Sequence, residues 1–337
     1  MAYLNIAILG ISLLLYVLLG GADFGGGILE LVTGRKKMDI ITKSIAPIWE
    51  ANHIWLILVV VILFVGFSPV YSTIMLTLHI PVLLVLIGII FRGAAFSFRT
   101  YDIDYKKPVT LYSTIFKASS IFTPFFLGVA LGAIMLGDIT TETSDGFYAV
   151  FLHPWLNFFC FSMGLFIVNL FAFLASSYVM GESKEKSDMR LFRVISKVFL
   201  IILVLNGGLV FAASEIDGLH LVRLFLKSPI SMVAMGAATI CIPFMWKSLQ
   251  MMATIRIRII AVIQTFLIIT GWFAIQFPVF IRMKDEEDIT LYNAQAPYQV
   301  QLHLFIALAV GVFIIFPAFG YLFKTFKFSK EKENAVE

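Results

Sequence analysis

The chain has 337 residues, of which 60% are hydrophobic and 14% are charged, and its formal net charge is +4. Soluble domains are about half apolar and about a quarter charged, so this chain lacks the polar surface that folding in water requires. The composition excludes a soluble enzyme, and the small positive charge gives no support to a nucleic-acid partner.

Nine apolar stretches are long enough to cross a bilayer as helices, since one span needs about 20 predominantly apolar residues. In chain order they cover 4–31, 46–67, 72–98, 115–137, 149–180, 192–213, 229–246, 257–281 and 299–323. Spanning strands are excluded because the stretches are too long and do not alternate in polarity. The sequence therefore predicts an all-α, polytopic membrane protein with about nine transmembrane helices.

The spacing of the spans predicts two four-helix bundles and one peripheral helix within a single transmembrane domain, 1–337. The first bundle is expected over 1–137 and the second over 149–281, with the ninth helix at 299–323 and a cytoplasmic tail at 328–337. The longest outer loop lies just before the ninth span, which supports this division.

The basic residues of the loops predict the orientation of the chain. One set of alternate loops, together with the C-terminal tail, holds 20 of the 25 Lys and Arg residues. The opposite set holds four, which are Arg223, Lys227, Arg282 and Lys284. Because basic loops stay in the cytoplasm, the N-terminus is expected outside and the C-terminus inside.

Glycines and an aspartate occur together in the first span. Gly21 and Gly25 have the four-residue spacing that lets two helices approach closely. Close packing does not account for Asp23, because an ionisable group inside a span costs about 3 kcal/mol on insertion scales. Such residues require a functional or pairing explanation, and the candidates are Asp23, Glu30, Glu50, His53, His79, Arg92 and His153.

The first three spans place several of these groups at one level. Glu50 and His53 are three residues apart and so share a helix face. At 1.5 Å per residue, they lie at a depth similar to that of Asp23 and Arg92, in the cytoplasmic third. A structural ion-pair cluster would explain one carboxylate beside Arg92. Two carboxylates and a histidine exceed what one arginine neutralises, which favours a proton-conducting chain.

Two other functions fit parts of the pattern. A secondary transporter would use Asp23 and Glu50 as a substrate or ion site. Such sites, however, usually lie at the membrane midplane, where helices are broken. A haem- or quinone-binding subunit would use His79 and His153, which lie in the outer third of their spans, as a bis-histidine pair.

Three motifs resemble those of subunit II of cytochrome bd quinol oxidases. They are GADFGGG at 21–27, SIAPIWEANHIWL at 44–56 and FRGAAFSFR at 91–99. The length of the chain and its nine spans agree with the same family.

The resemblance implies a subunit of a complex that oxidises quinol, reduces dioxygen to water and contributes to a proton gradient. The complex belongs to a bacterial or archaeal cell membrane. Two b-type haems, one d-type haem and the quinol site are expected on a partner, subunit I, so this chain is expected to bind no cofactor firmly. A small single-helix subunit is an optional further partner.

The resemblance also assigns roles to particular residues. Asp23 and Glu50 match acidic positions proposed for proton delivery. We further expect His53 to act as a relay or tuning group and Arg92 to balance charge. Family members often have Gln where this chain has His53, and Asp where it has Ser97.

Overall fold

The fold is that of an all-α, multi-pass membrane protein, as the sequence predicts. The computed structural model describes residues 1–34, 37–45, 52–101, 108–142, 146–183 and 185–323. Within these ranges, eight helices are long and apolar enough to cross a membrane. A ninth crossing results if one bent pair of shorter helices counts as a single span.

The helices are numbered here in chain order. They are α1 (Ala2–Thr33), α2 (Met38–Ile45), α3 (Ile54–Gly66), α4 (Ser68–Thr77), α5 (His79–Tyr101), α6 (Pro108–Leu136), α7 (Gly146–Phe151), α8 (Phe158–Glu182), α9 (Lys186–Ile216), α10 (Leu221–Lys227), α11 (Pro229–Met251), α12 (Thr254–Gln276), α13 (Leu291–Ala294) and α14 (Tyr298–Phe323). An antiparallel hairpin of β1 (Val279–Ile281) and β2 (Ile289–Thr290) lies between α12 and α13. Within α1, residues Tyr16–Gly20 form a π-helical segment.

Helix α8 lies at the centre and packs against α1, α6, α9 and α12. Its contact with α1 depends on the predicted glycine pair. A Cβ atom on Gly25 would lie 2.0 Å from the Phe171 carbonyl oxygen, and one on Gly21 would lie 2.6 Å from the Phe171 ring. Only glycine permits this approach, so the predicted packing role of the pair is confirmed.

The predicted start of the third span at residue 72 is wrong. Helices α3 and α4 meet at an angle of 112°. Gly66 ends α3, and Pro69 stands in the first turn of α4, where its missing N–H costs nothing. The chain breaks again at Leu78, so the third span begins at His79. Residues 46–51, the start of the predicted second span, lie outside the described residues.

Two further span limits differ from the prediction for local reasons. The fifth span begins at Phe158 rather than at residue 149, because the Asn157 side chain accepts a hydrogen bond from the Cys160 N–H and caps the helix. The eighth span ends at Gln276 rather than at residue 281. The chain there passes through Pro278 into the β-hairpin.

Buried apolar side chains form two large clusters at different levels of the helices. One includes Phe24 of α1 and Phe171 of α8, and the other includes Leu9 and Phe159 of the same helices. A small third cluster, Ala95, Phe96 and Phe116, joins α5 to α6. The polar residues of interest lie beside the first and third clusters.

The last helix is held by a buried polar contact. Asn5 Nδ2 donates to Gln301 Oε1 at 2.6 Å, and Gln301 Nε2 donates to the Gly66 carbonyl oxygen at 2.7 Å. One glutamine therefore connects α14 to α1 and to the end of α3.

Candidate functional site

Asp23 is buried on α1, one residue before the Phe24 ring of the apolar core. Only 3% of the surface of Asp23 is exposed. The Asn52 side chain, just before α3, donates to Asp23 Oδ2 at 2.5 Å. An amide donor compensates part of the cost of burying a carboxyl group away from water. Asn52 thus ties the start of α3 to α1.

Arg92 of α5 faces the same region and is 1% exposed. Its guanidinium carbon lies 4.5 Å from the centre of the Phe24 ring and 5.3 Å from that of Phe116. These distances are typical of cation–π contacts. Arg92 lies near Asp23. Within the described part of the chain, no ion-pair contact within 4.0 Å joins the two.

His53 completes this group from the N-terminal end of α3. Its ring lies 6.0 Å from the Phe24 ring and 6.4 Å from the Tyr16 ring. The structure therefore brings together three of the four predicted site residues, Asp23, His53 and Arg92. The fourth, Glu50, lies outside the described residues.

The site contains two residues that the sequence reasoning did not select, Tyr16 and Asn52. We call the group Tyr16, Asp23, Asn52, His53 and Arg92 the polar chamber. Tyr16 is 1% exposed and lies near both Arg92 and Asp23. Its seven-residue separation from Asp23 was the available signal, because two turns of helix return to nearly the same face.

The chamber has the chemical groups that proton transfer requires. A carboxyl group and an imidazole both bind and release protons, and the nearby guanidinium compensates negative charge. The Phe24 and Phe116 rings pack against Arg92, and Phe24 also lies beside His53. The arrangement supports proton transfer more directly than binding of a large substrate.

A second buried ionic group lies two turns further along the same helices. Arg99 Nη1 donates to Glu30 Oε2 at 2.5 Å, and Ser113 Oγ donates to Glu30 Oε1 at 2.5 Å. Arg99 also donates to Thr42 Oγ1 at 3.1 Å. The Phe116 ring lies against Arg99 at 4.4 Å as well as against Arg92. Unlike Asp23, Glu30 has a direct arginine partner.

The histidines of the haem alternative lie elsewhere, near α7. The His79 ring packs against Phe151 at 5.1 Å, and its Nδ1 contacts the Leu76 carbonyl oxygen at 2.9 Å. The His153 side chain is 47% exposed and turns toward Asp138, 4.0 Å away. These contacts fit residues at the membrane surface better than a pair of axial haem ligands.

Comparison with known proteins gives one consistent result. The family model for cytochrome bd terminal oxidase subunit II matches residues 1–326. Cytochrome bd ubiquinol oxidase subunit 2 of Bacillus subtilis is 26% identical over 199 residues, which cover 56% of this chain and 56% of that protein. Cytochrome bd-I ubiquinol oxidase subunit 2 of Escherichia coli K12 is 29% identical over 132 residues, or 39% of this chain and 35% of that protein. The chain thus spans about half, or less, of the length of these relatives.

The fold is also found in a solved structure, that of bd oxidase from Geobacillus thermodenitrificans. The match has a TM-score of 0.78 and covers 97% of this chain and 98% of that chain. The sequence identity is 15%, so the match shows the fold alone.

Proposed function

This chain belongs to the family of cytochrome bd terminal oxidase subunit II, and on that premise we propose that it is the haem-free subunit of a membrane complex that oxidises quinol and reduces dioxygen to water. The observation that carries the proposal is the match of the family model to residues 1–326. Two b-type haems, one d-type haem and the quinol site are assigned to a partner, subunit I.

The outer surface of the helices supports a large partner within the membrane. Large apolar side chains are exposed along α3 and α5, including Ile57 at 59%, Phe64 at 58% and Ile90 at 57%. Lipid or a second membrane protein covers such surfaces. We assign part of this surface to subunit I, with a small single-helix subunit as an optional further partner.

The polar chamber suggests what this subunit contributes to the reaction. Reduction of dioxygen to water consumes protons, which have to cross the low-dielectric interior to reach the haem-bearing partner. We propose that Asp23, with Glu50 and His53, takes up protons from the cytoplasmic side, and that Arg92 balances the charge. The support is the burial of Asp23 beside His53 and Arg92 in an otherwise apolar region.

Purification from the native membrane through a tag on this chain tests the complex. We expect a haem-bearing subunit to accompany the chain, with b- and d-type haem spectra and quinol oxidase activity. A chain that purifies without such a partner contradicts the proposal and favours the secondary transporter. Haem retained by this chain alone, and lost in His79→Ala, favours the haem-binding alternative.

Substitution of the carboxylates tests proton delivery within the assembled complex. Asp23→Asn and Glu50→Gln preserve size and remove the titrating group, so turnover is expected to fall by about 10²-fold, the lower limit for loss of a positioned acid–base group. Asp138→Asn is the matched control, because this aspartate is 32% exposed and lies outside the polar chamber. If both test variants keep the wild-type turnover and proton uptake, only a structural role remains for Asp23 and Glu50.

A further inference from the structure

The polar chamber has hydrogen-bonding capacity that its own residues do not use. Among the described residues, four of its buried atoms have no hydrogen-bond partner, namely Tyr16 Oη, His53 Nδ1, and Nε and Nη2 of Arg92. In proteins, more than about 90% of such groups are bonded to protein or to ordered water. Four of them in one place indicate a ligand with several donors and acceptors.

The side chains that carry these atoms lie close to one another. The His53 ring lies beside those of Tyr16 and Phe24, with ring centres 6.4 Å and 6.0 Å away. The Arg92 guanidinium carbon is 4.5 Å from the Phe24 ring on the α5 side. Asp23, the residue before Phe24, has its carboxyl group near Arg92 and Tyr16.

Tyr16 is the member of this group that lies nearest the middle of the membrane. It precedes Asp23 by seven residues, or roughly 10 Å at the helical rise, and lies halfway along α1. Tyr16 begins the π-helical segment, a local irregularity that is frequent at functional sites. Its ring covers Gly20, where a Cβ atom would be 3.0 Å away, so α1 itself holds the ring in place.

We propose that Tyr16, His53 and Arg92 form a water-binding site beside Asp23, with the Tyr16 hydroxyl at its membrane-centre end. Water fits because it both donates and accepts, as an arginine donor, a hydroxyl and an imidazole nitrogen together require. An anion is disfavoured by the carboxyl group of Asp23, and burial excludes a lipid headgroup. The inference rests on the proposed function, since bound water would carry protons from Asp23 toward the membrane centre.

A density map of the assembled complex that resolves ordered water tests the site. We expect water within hydrogen-bond distance of Tyr16 Oη and of at least one of the unpartnered atoms of Arg92 and His53. Tyr16→Phe keeps the ring and removes only the hydroxyl, so the water nearest position 16 is expected to disappear. His53→Phe is expected to remove the water bonded to Nδ1.

Turnover provides the second readout of Tyr16→Phe. We expect it to fall about two- to tenfold, the rate factor that corresponds to one net hydrogen bond. Tyr178→Phe on α8 is the matched control and is expected to change neither the water nor turnover. A direct bond from Tyr16 Oη to a side chain of this chain or the partner, without water, overturns the site. Unchanged water and turnover in Tyr16→Phe overturn it too.

The two proposals fail in different ways. If Asp23→Asn blocks turnover but the map shows no water at Tyr16, the water site is wrong and proton delivery through Asp23 stands. If water is present but Asp23→Asn turns over normally, the proton role fails, and so does the proton-carrying role of the water.

Discussion

At the scale of single residues, two arginines seven positions apart on α5 have contrasting surroundings. Arg99 bonds directly to Glu30 and to Thr42, whereas two of the guanidinium nitrogens of Arg92 have no partner among the described residues. Glu30 therefore has both a cationic partner and a serine donor. Asp23 has an amide donor instead. This difference is why we assign a structural role to Glu30 and a chemical role to Asp23.

Glu30→Gln tests the structural role. The change leaves the Arg99 side chain, which is 3% exposed, without its counterion. Loss of one partner of a buried ion pair costs about 3–5 kcal/mol, so thermal unfolding of the detergent-solubilised complex is expected at a clearly lower temperature. Glu215→Gln is the control, because its contact with His220 Nδ1 is exposed, and a change within about 1 kcal/mol is expected. Equal shifts in both variants contradict this account.

The polar chamber was only partly predictable from the sequence. Charged residues in apolar spans stand out in a bare sequence, so Asp23, His53 and Arg92 were found from their cost of burial alone. Tyr16 and Asn52 were not, because a tyrosine or an asparagine carries no charge at neutral pH and stands out less in an apolar span. Their roles depend on which helices pack together, and the order of residues in the sequence does not show this packing.

At the scale of elements, the helices follow from local chemistry, whereas their breaks do so only in part. Runs of apolar residues predicted the spans, and the Gly21 and Gly25 pair predicted a close contact. The interruption between residues 67 and 72 was expected, but the break at Leu78 was missed because apolar residues lie on both sides of it. Composition measures whether a segment prefers lipid, but the direction of a helix is set by its caps and prolines.

Gly25→Ala tests the contact between α1 and α8. A methyl group 2.0 Å from a carbonyl oxygen of α8 forces the helices apart, at a cost of about 1–3 kcal/mol. Gly208→Ala on α9 is the control, because a Cβ atom there meets nothing within 4 Å. Higher helix propensity is expected to leave that variant equally or more stable. Thermal unfolding of both complexes measures the difference, and an unchanged Gly25→Ala complex would refute close packing at this site.

At the scale of the whole molecule, the predicted orientation places Asp23, His53 and Arg92 in the cytoplasmic third of the membrane. The distribution of Lys and Arg predicts that the α8–α9 connection is cytoplasmic and that the β-hairpin is outside. The division into two four-helix bundles and one further helix stays a proposal, since α8 of the second group packs directly against α1 and α6 of the first.

Cysteine labelling tests the orientation. Glu287→Cys in the hairpin and Ser187→Cys at the start of α9 both place a thiol at an exposed residue. A membrane-impermeant maleimide is expected to label Glu287→Cys in intact cells and Ser187→Cys only after permeabilisation. The native Cys160 and Cys241 lie within α8 and α11 and provide the background. The reverse labelling pattern contradicts cytoplasmic proton uptake through the chamber.

Proton uptake during a single turnover tests the central claim most directly. The purified complex is reduced, reconstituted in vesicles with a pH dye on the side that labelling identifies as cytoplasmic, and mixed with dioxygen. In Asp23→Asn, proton uptake from that side is expected to slow by about 10²-fold while haem reduction and dioxygen binding are unaffected. Uptake at the wild-type rate in Asp23→Asn, with Asp138→Asn equally fast, would contradict the assignment of proton delivery to the polar chamber.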